Sequence, residues 1–315
     1  MAYYLGIDTS NYTTSLAVLD ASACQVVLNL KRPLTVKSGG IGLRQSDAVF
    51  QHIKNLPPLL EEARSRLSRP IAGVGVSVRP RDEEDSYMPC FLSGRAAAYG
   101  AALGAGVPVG EFSHQAGHLA AALYSTGRLD LLGGEFIAFH ISGGTSECHH
   151  VLPEQEHVFL CRLISHSLDL KLGQAIDRVG VAMGLPFPAG PEMDRLAQQS
   201  KAVFHPRVTF QGDHFCASGL ENLCLARIRA GEKPEDVAKF CLSYVLAVVE
   251  EMTRIALARC PGLPLIYAGG VMSNSLIRQQ ISRQFGGQFA EPAFSADNAA
   301  GAAVLAAWQQ GGLKL

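Results

Sequence analysis

Apolar residues along this chain gather twice into a strand, a short polar turn and a second strand. Residues 3–8 (YYLGID) and 15–19 (SLAVL) read as strands joined by the turn Thr9-Ser10-Asn11-Tyr12-Thr13-Thr14. The unit returns at 136–141 (FIAFHI), with the turn Ser142-Gly143-Gly144-Thr145-Ser146 and a second strand near 147–152. The likeness is one of pattern rather than of letters, and it leaves open whether the halves are duplicates. Between the hairpins, Ala48 to Leu67 has apolar residues at helical spacing. A strand at 71–78, a small-residue helix near 93–104 and a short strand from Pro108 follow. In the second half, Pro234 starts a helix predicted to run to Arg259, with Val237, Phe240, Cys241, Tyr244, Val248, Met252 and Ile255 on one stripe. A strand over 264–270, a helix from near Asn274 and a last helix from near Asp297 complete the chain. Strands alternating with helices predict an α/β protein of two lobes. The predicted division is an N-terminal lobe at 1–112, completed by the last helix at 298–315, and a C-terminal lobe at 113–297.

Composition narrows this picture. Of 315 residues, 48% are apolar and 17% charged, which excludes intrinsic disorder. The 27 basic and 28 acidic residues leave a net charge of −1, unlike a dedicated nucleic-acid binder. Arg64, Arg66, Arg69, Arg79 and Arg81 form the best basic cluster, but acids at 82–85 adjoin it, so it reads as a solvated mixed surface. Eight cysteines without a C-x-x-C pair read as buried reduced thiols. No secretory signal pattern opens the sequence, and the Ala- and Gly-rich stretches near 96–109 and 299–308 are too short to span a bilayer. A soluble cytoplasmic protein with no membrane partner is expected.

Several constellations could carry chemistry. In His114-Gln115-Ala116-Gly117-His118 the two imidazoles are four residues apart, on one helical face, and could share a metal ion. The same residues also read as a helix-start histidine and a partly buried one, with Ser113 as N-cap. The protease pattern H-E-x-x-H is absent because Gln115 stands where the general base would be. The loop Ser142-Gly143-Gly144-Thr145 could hold an anion on backbone N–H groups, or be an ordinary turn. Gly269-Gly270-Val271-Met272-Ser273-Asn274 suits a nucleotide against the backbone, or a helix whose N-cap is Ser273 or Asn274. Asp297 reads as a third metal ligand or as an N-cap. Asp177 and Asp194 flank a Pro- and Gly-rich loop that could wrap a ribose, or are solvated acids beside a rigid turn. No G-x-S-x-G, P-loop or G-x-G-x-x-G pattern occurs.

The order and spacing of these pieces resemble the TsaD-type tRNA threonylcarbamoyltransferases, formerly described as O-sialoglycoprotein endopeptidases, over nearly the whole chain. That resemblance implies the two-lobed actin-like ATPase fold with duplicated lobes. It implies metal ligands at His114, His118 and Asp297, for one divalent ion, Fe2+ or Zn2+. It also implies a substrate loop at His140, Ile141, Ser142, Gly143 and Gly144, and nucleotide contacts at Asp177, Gly190 and Asn274. The expected reaction moves threonylcarbamoyl from threonylcarbamoyl-AMP to the N6 amine of a tRNA adenosine beside the anticodon, releasing AMP. ATP or ADP is a further expected ligand. Expected partners are tRNA, a paralogous actin-like subunit and a small ATPase. The sequence departs from the family at Asp8-Thr9-Ser10-Asn11-Tyr12-Thr13-Thr14, where Glu-Thr-Ser-Cys-Asp-Glu-Thr is typical. Arg79-Pro80-Arg81 stands for Gly-Pro-Gly, Thr145 for His, and Ala189 for Gly. A diverged paralog fits these changes. Two other functions fit the same fold: a carbamoyltransferase with a small-molecule or protein acceptor, and a silent scaffold subunit of an active paralog.

Overall fold

A computed structural model describes residues 2–10, 12–36, 43–295 and 299–313. The chain divides into two compact units. The first takes the described residues of Met1–Gly133, Pro153–Leu160 and Ala296–Leu315, and the second those of Gly134–Leu152 and Cys161–Ser295. The boundary therefore falls after Gly133 rather than at 112. Residues 114–125 pack with the first unit because Gly117 lies against the C-terminal helix: a Cβ on Gly301 would sit 1.8 Å from the Gly117 carbonyl oxygen.

In the first unit, β1 (Tyr3–Ser10) is central and buried along its whole length, as a strand covered on both faces must be. It pairs antiparallel with β2 (Thr13–Asp20), which pairs antiparallel with β3 (Gln25–Pro33). Helix α1 (Gln45–Arg66) leads to β4 (Ile71–Arg79), parallel to β1, and α2 (Phe91–Ala105) to β5 (Val109–Ser113), parallel to β4. Helix α3 (His114–Ser125) follows directly. The C-terminal helix, Ala300–Gln309, is apolar all round and buried from Ala300 to Ala307. It lies backbone-close on the sheet, since a Cβ on Gly6 or Gly75 would come within 2.1 or 2.0 Å of carbonyl oxygens at Ala299 and Ala302.

The second unit repeats the plan. Strand β6 (Phe136–Ile141) pairs antiparallel with β7 (Ser146–Glu154), and β8 (Val158–His166) lies beside β7. Helices α4 (Leu172–Ala182) and α5 (Gly190–Ala197) precede a small hairpin of β9 (Thr209–Gln211) and β10 (His214–Cys216). Then come α6 (Ser218–Arg229), α7 (Pro234–Arg259) and β11 (Leu265–Ala268), which runs parallel to β6. Helix α8 (Ser275–Phe285), β12 (Gln288–Phe289) and the short α9 (Pro292–Ser295) end the unit. The strand orders β3-β2-β1-β4-β5 and β8-β7-β6-β11-β12 are the same arrangement used twice. Every residue of the predicted α7 stripe is buried or packed against the core: Val237, Phe240, Cys241, Tyr244, Val248 and Met252 are buried, and Ile255 is half-buried.

The cysteines correct one expectation. All eight are free thiols, but only Cys90, Cys148, Cys224 and Cys241 are buried; Cys24 is exposed and the other three are half-buried. No helix among the described residues is long and apolar enough to cross a membrane.

Candidate functional sites in the two units

In the first unit, chemistry converges at the start of α3. The Ser113 hydroxyl accepts from the Ala116 N–H at 3.0 Å, so it is the N-cap that the sequence allowed. One turn of helix then brings His114 and His118 together, with their Nε2 atoms 2.9 Å apart and ring centroids at 4.3 Å. Behind His114, its Nδ1 meets Asp8 Oδ2 at 2.7 Å. The side chain of Asp8 is 2% exposed and that of His114 20%. Asp8 Oδ1 also accepts from the Ser10 N–H at 2.9 Å.

The loop after β4 is more than a solvated charged surface. Asp82 accepts from the Ser113 hydroxyl, and the Pro80 carbonyl accepts from the Gln115 N–H at 3.0 Å, so the loop secures the first turn of α3. Arg79 ties it further through Asp82 at 2.8 Å and His157 Nδ1 at 3.2 Å. Arg66 and Arg69 pair with Glu62 and Asp20, in keeping with a mixed surface rather than a basic patch.

A second histidine region escaped the sequence reading. His52 of α1 is fully buried, with Nδ1 2.8 Å from the Thr14 hydroxyl. Burial pushes its pKa below the usual histidine value, against the pull of the Asp8 charge. Burial, with the same negative charge, raises the Cys90 thiol to about 11, so it is inert as a nucleophile.

In the second unit, the predicted nucleotide residues close into a ring of contacts. Ser142 folds the Ser-Gly-Gly loop on itself, its hydroxyl accepting from Gly144 N–H at 3.3 Å and Thr145 N–H at 3.1 Å. Two of the N–H groups expected to face an anion are thus held by Ser142. A Cβ on Gly143 or Gly144 would meet open space. Gly173, at the start of α4, lies so close beneath the loop that a Cβ there would sit 2.6 Å from Ser142 and Gly143 backbone atoms. Asp177, one turn further on, accepts from the Ala189 N–H at 2.8 Å and so sets the approach to Gly190, the first residue of α5. Asp194 of α5 accepts from both the N–H and hydroxyl of Ser275, at 2.9 and 2.8 Å. Neither acid is the solvated bystander of the alternative reading. Asn274 Oδ1 accepts from the Ile277 N–H at 3.1 Å and is the N-cap of α8. The ring closes where Gly269, at φ +99°, packs against Ile141; a Cβ would fall 2.2 Å from that carbonyl oxygen. The Ile141 side chain is in the core, so only its backbone borders the ring.

His140 and Glu147 are cross-strand partners on β6 and β7, with Glu147 3.6 Å from His149. His150 instead pairs with Glu135 at 2.9 Å. Among the described residues no cluster of three His, Cys, Asp or Glu side chains is placed to hold a metal ion. The expected third ligand, Asp297, lies outside the described residues.

Solved structures with this arrangement define the class. Component A of the (R)-2-hydroxyglutaryl-CoA dehydratase of Acidaminococcus fermentans covers all of this chain and is itself fully covered, with a TM-score of 0.55 at 16% identity. Full-length HypF, in its phosphate- and nucleotide-bound form, covers 96% of this chain with 54% of its own, at a TM-score of 0.57 and 12% identity. The fold is the actin-like ATPase fold, carried by two five-stranded sheets. Within that class, the family model for TsaD, tRNA N6-adenosine threonylcarbamoyltransferase, matches residues 31–304, and the chain belongs to this family. A tRNA N6-adenosine threonylcarbamoyltransferase of Streptococcus equi subsp. zooepidemicus is 28% identical over 294 residues, 90% of this chain and 83% of its own length. One from Streptococcus pneumoniae (strain CGSP14) is 28% identical over 296 residues, 90% of this chain and 84% of its own.

Proposed function

We propose that this chain transfers a threonylcarbamoyl group from threonylcarbamoyl-AMP to the N6 amine of a tRNA adenosine beside the anticodon, releasing AMP. Membership of the family supports the reaction class. The observation that carries a metal-dependent reading is the 2.9 Å convergence of the His114 and His118 Nε2 atoms. Two imidazole nitrogens on one transition-metal ion, each bound at about 2.0–2.1 Å, lie about 3 Å apart, so the donor pair fits Fe2+ or Zn2+. His114, His118 and Asp297 would hold the ion, which when bound supplies Lewis-acid polarisation of an acyl oxygen.

The ring of the second unit supports nucleotide binding. Gly143 and Gly144 leave backbone open to close approach, and Asp177, Gly190 and Asn274 surround the adenylate half of the donor, with His140, Ile141 and Ser142 completing its loop. The amine attacks the carbamoyl carbon and loses its proton; the bond from that carbon to the phosphate oxygen breaks, and AMP leaves with the electron pair. ATP or ADP is a further ligand of this nucleotide site. The near balance of charge favours presentation of tRNA with help from a paralogous actin-like subunit and a small ATPase.

The test supplies purified protein with threonylcarbamoyl-AMP, unmodified tRNA and the candidate partners, and quantifies modified nucleoside by mass spectrometry. Product is expected, and the His114→Ala variant should lose it. No product with retained adenylate binding would move the acceptor to a small molecule or protein. Loss of adenylate binding as well would leave a scaffold subunit.

A further inference from the structure

We propose that Asp8 is the positioning residue of the histidine pair, fixing the His114 proton on Nδ1 so that Nε2 presents its lone pair toward His118. This rests on the metal reading above and adds a residue to it. An ionised carboxylate only accepts, so the proton in the 2.7 Å contact between Asp8 Oδ2 and His114 lies on Nδ1. A neutral His114 then has a bare Nε2, and the 2.9 Å contact between the two Nε2 atoms is His118 donating to His114.

The pair is therefore asymmetric. For both Nε2 atoms to ligate one ion, His114 needs no change, whereas the His118 proton must move to that ring's own Nδ1. Asp8 is suited to hold one ring and not the other because its placement is rigid. It is on the buried central strand, and its second oxygen is anchored by the Ser10 N–H at 2.9 Å. A carboxylate behind a ligating imidazole also raises that ligand's basicity.

Asp8→Asn is nearly isosteric and discriminating. Its Oδ1 can keep the Ser10 bond while its amide donates to His114 Nδ1, driving the ring proton to Nε2 and closing the lone pair, in the way an amide inverts a carboxylate-held imidazole elsewhere. Asp8→Glu keeps an acceptor, and Glu is the residue that the family resemblance places here. The experiment uses the full chain, with long-range imidazole 15N–1H correlation of the metal-free protein and titration with CoCl2 followed by ligand-field absorbance. A thermal melt confirms that each variant folds. The expected result is an Nδ1–H His114 in the wild type and in Asp8→Glu, and an Nε2–H His114 in Asp8→Asn. Co2+ affinity should fall about 10- to 100-fold in Asp8→Asn and be largely restored in Asp8→Glu. An Nε2–H His114 in the wild type, or equal Co2+ affinity in wild type and Asp8→Asn, overturns the role of Asp8 and leaves the metal reading standing. Absence of Co2+ uptake by the wild type overturns the metal reading itself, and the positioning role with it.

Discussion

The hairpins that open the two units occupy the same place in the same strand order, yet they end differently. In the first, pairing continues to Ser10 opposite Thr13, and β1 is buried to its last residue. In the second, pairing stops at Ile141 opposite Ser146, and the residues between include two exposed glycines. The first hairpin works through side chains turned inward: Asp8 toward His114, and Thr14 toward His52. The second works through backbone, with Ser142 folding the loop and Gly173 and Gly269 letting α4 and β11 close on it. One topology thus supports a candidate site specified by side-chain chemistry and another specified by the absence of side chains.

The sharpest way to break this contrast is Gly269→Ala. The new Cβ meets the Ile141 carbonyl and the backbone is held at φ +99°, so the loss should be about 3 kcal/mol, read as a lowered urea midpoint. Adenylate binding should vanish while Co2+ uptake by the histidine pair persists; joint loss would show that the two sites do not behave separately. A smaller effect is expected at Asn274. Replacement by Ala should cost about 1 kcal/mol as a lost N-cap, while Asn274→Ser should keep the cap and nearly all stability. If Asn274 also contacts the adenylate, both variants should weaken its binding, and unchanged binding in Asn274→Ser would confine the residue to capping.

The smallest effect concerns pH and the first hairpin. Burial lowers the folded pKa of His52, so below about pH 6.5 the unfolded chain binds more protons than the folded one. The stabilisation is complete above about pH 6.5 and is lost as pH falls toward the folded pKa. Urea midpoints of the wild type should therefore drop more steeply than those of His52→Gln between about pH 6.5 and 5. Parallel slopes would remove His52 from the acid response.

The sequence made some of this legible and hid the rest for physical reasons. Helix α7 was readable to its ends because Pro234 sets the first turn and the apolar stripe is unbroken. The paired imidazoles on α3 follow from helical spacing alone. Strand β3 was missed because it is a half-exposed edge strand carrying Gln25, Asn29, Lys31 and Arg32, which blurs the alternation. Strand β8 is blurred likewise by Arg162 and His166. Asp8 was invisible as a functional residue because its partner is 106 positions away and nothing local marks the contact. The role of Gly173 is likewise set by the loop packed above it, and its local sequence gives no turn signal.

The close seat of the C-terminal helix has a consequence for how the protein is made. Gly6, Gly75 and Gly117 receive that helix at backbone distance, yet in chain order it follows the whole of the second unit. Until then the sheet that carries Asp8 lacks the cover on that face, and α3 lacks its neighbour at Gly117. The first unit is begun before the second and completed after it, so its histidine pair reaches its final setting only once the second unit has been synthesised.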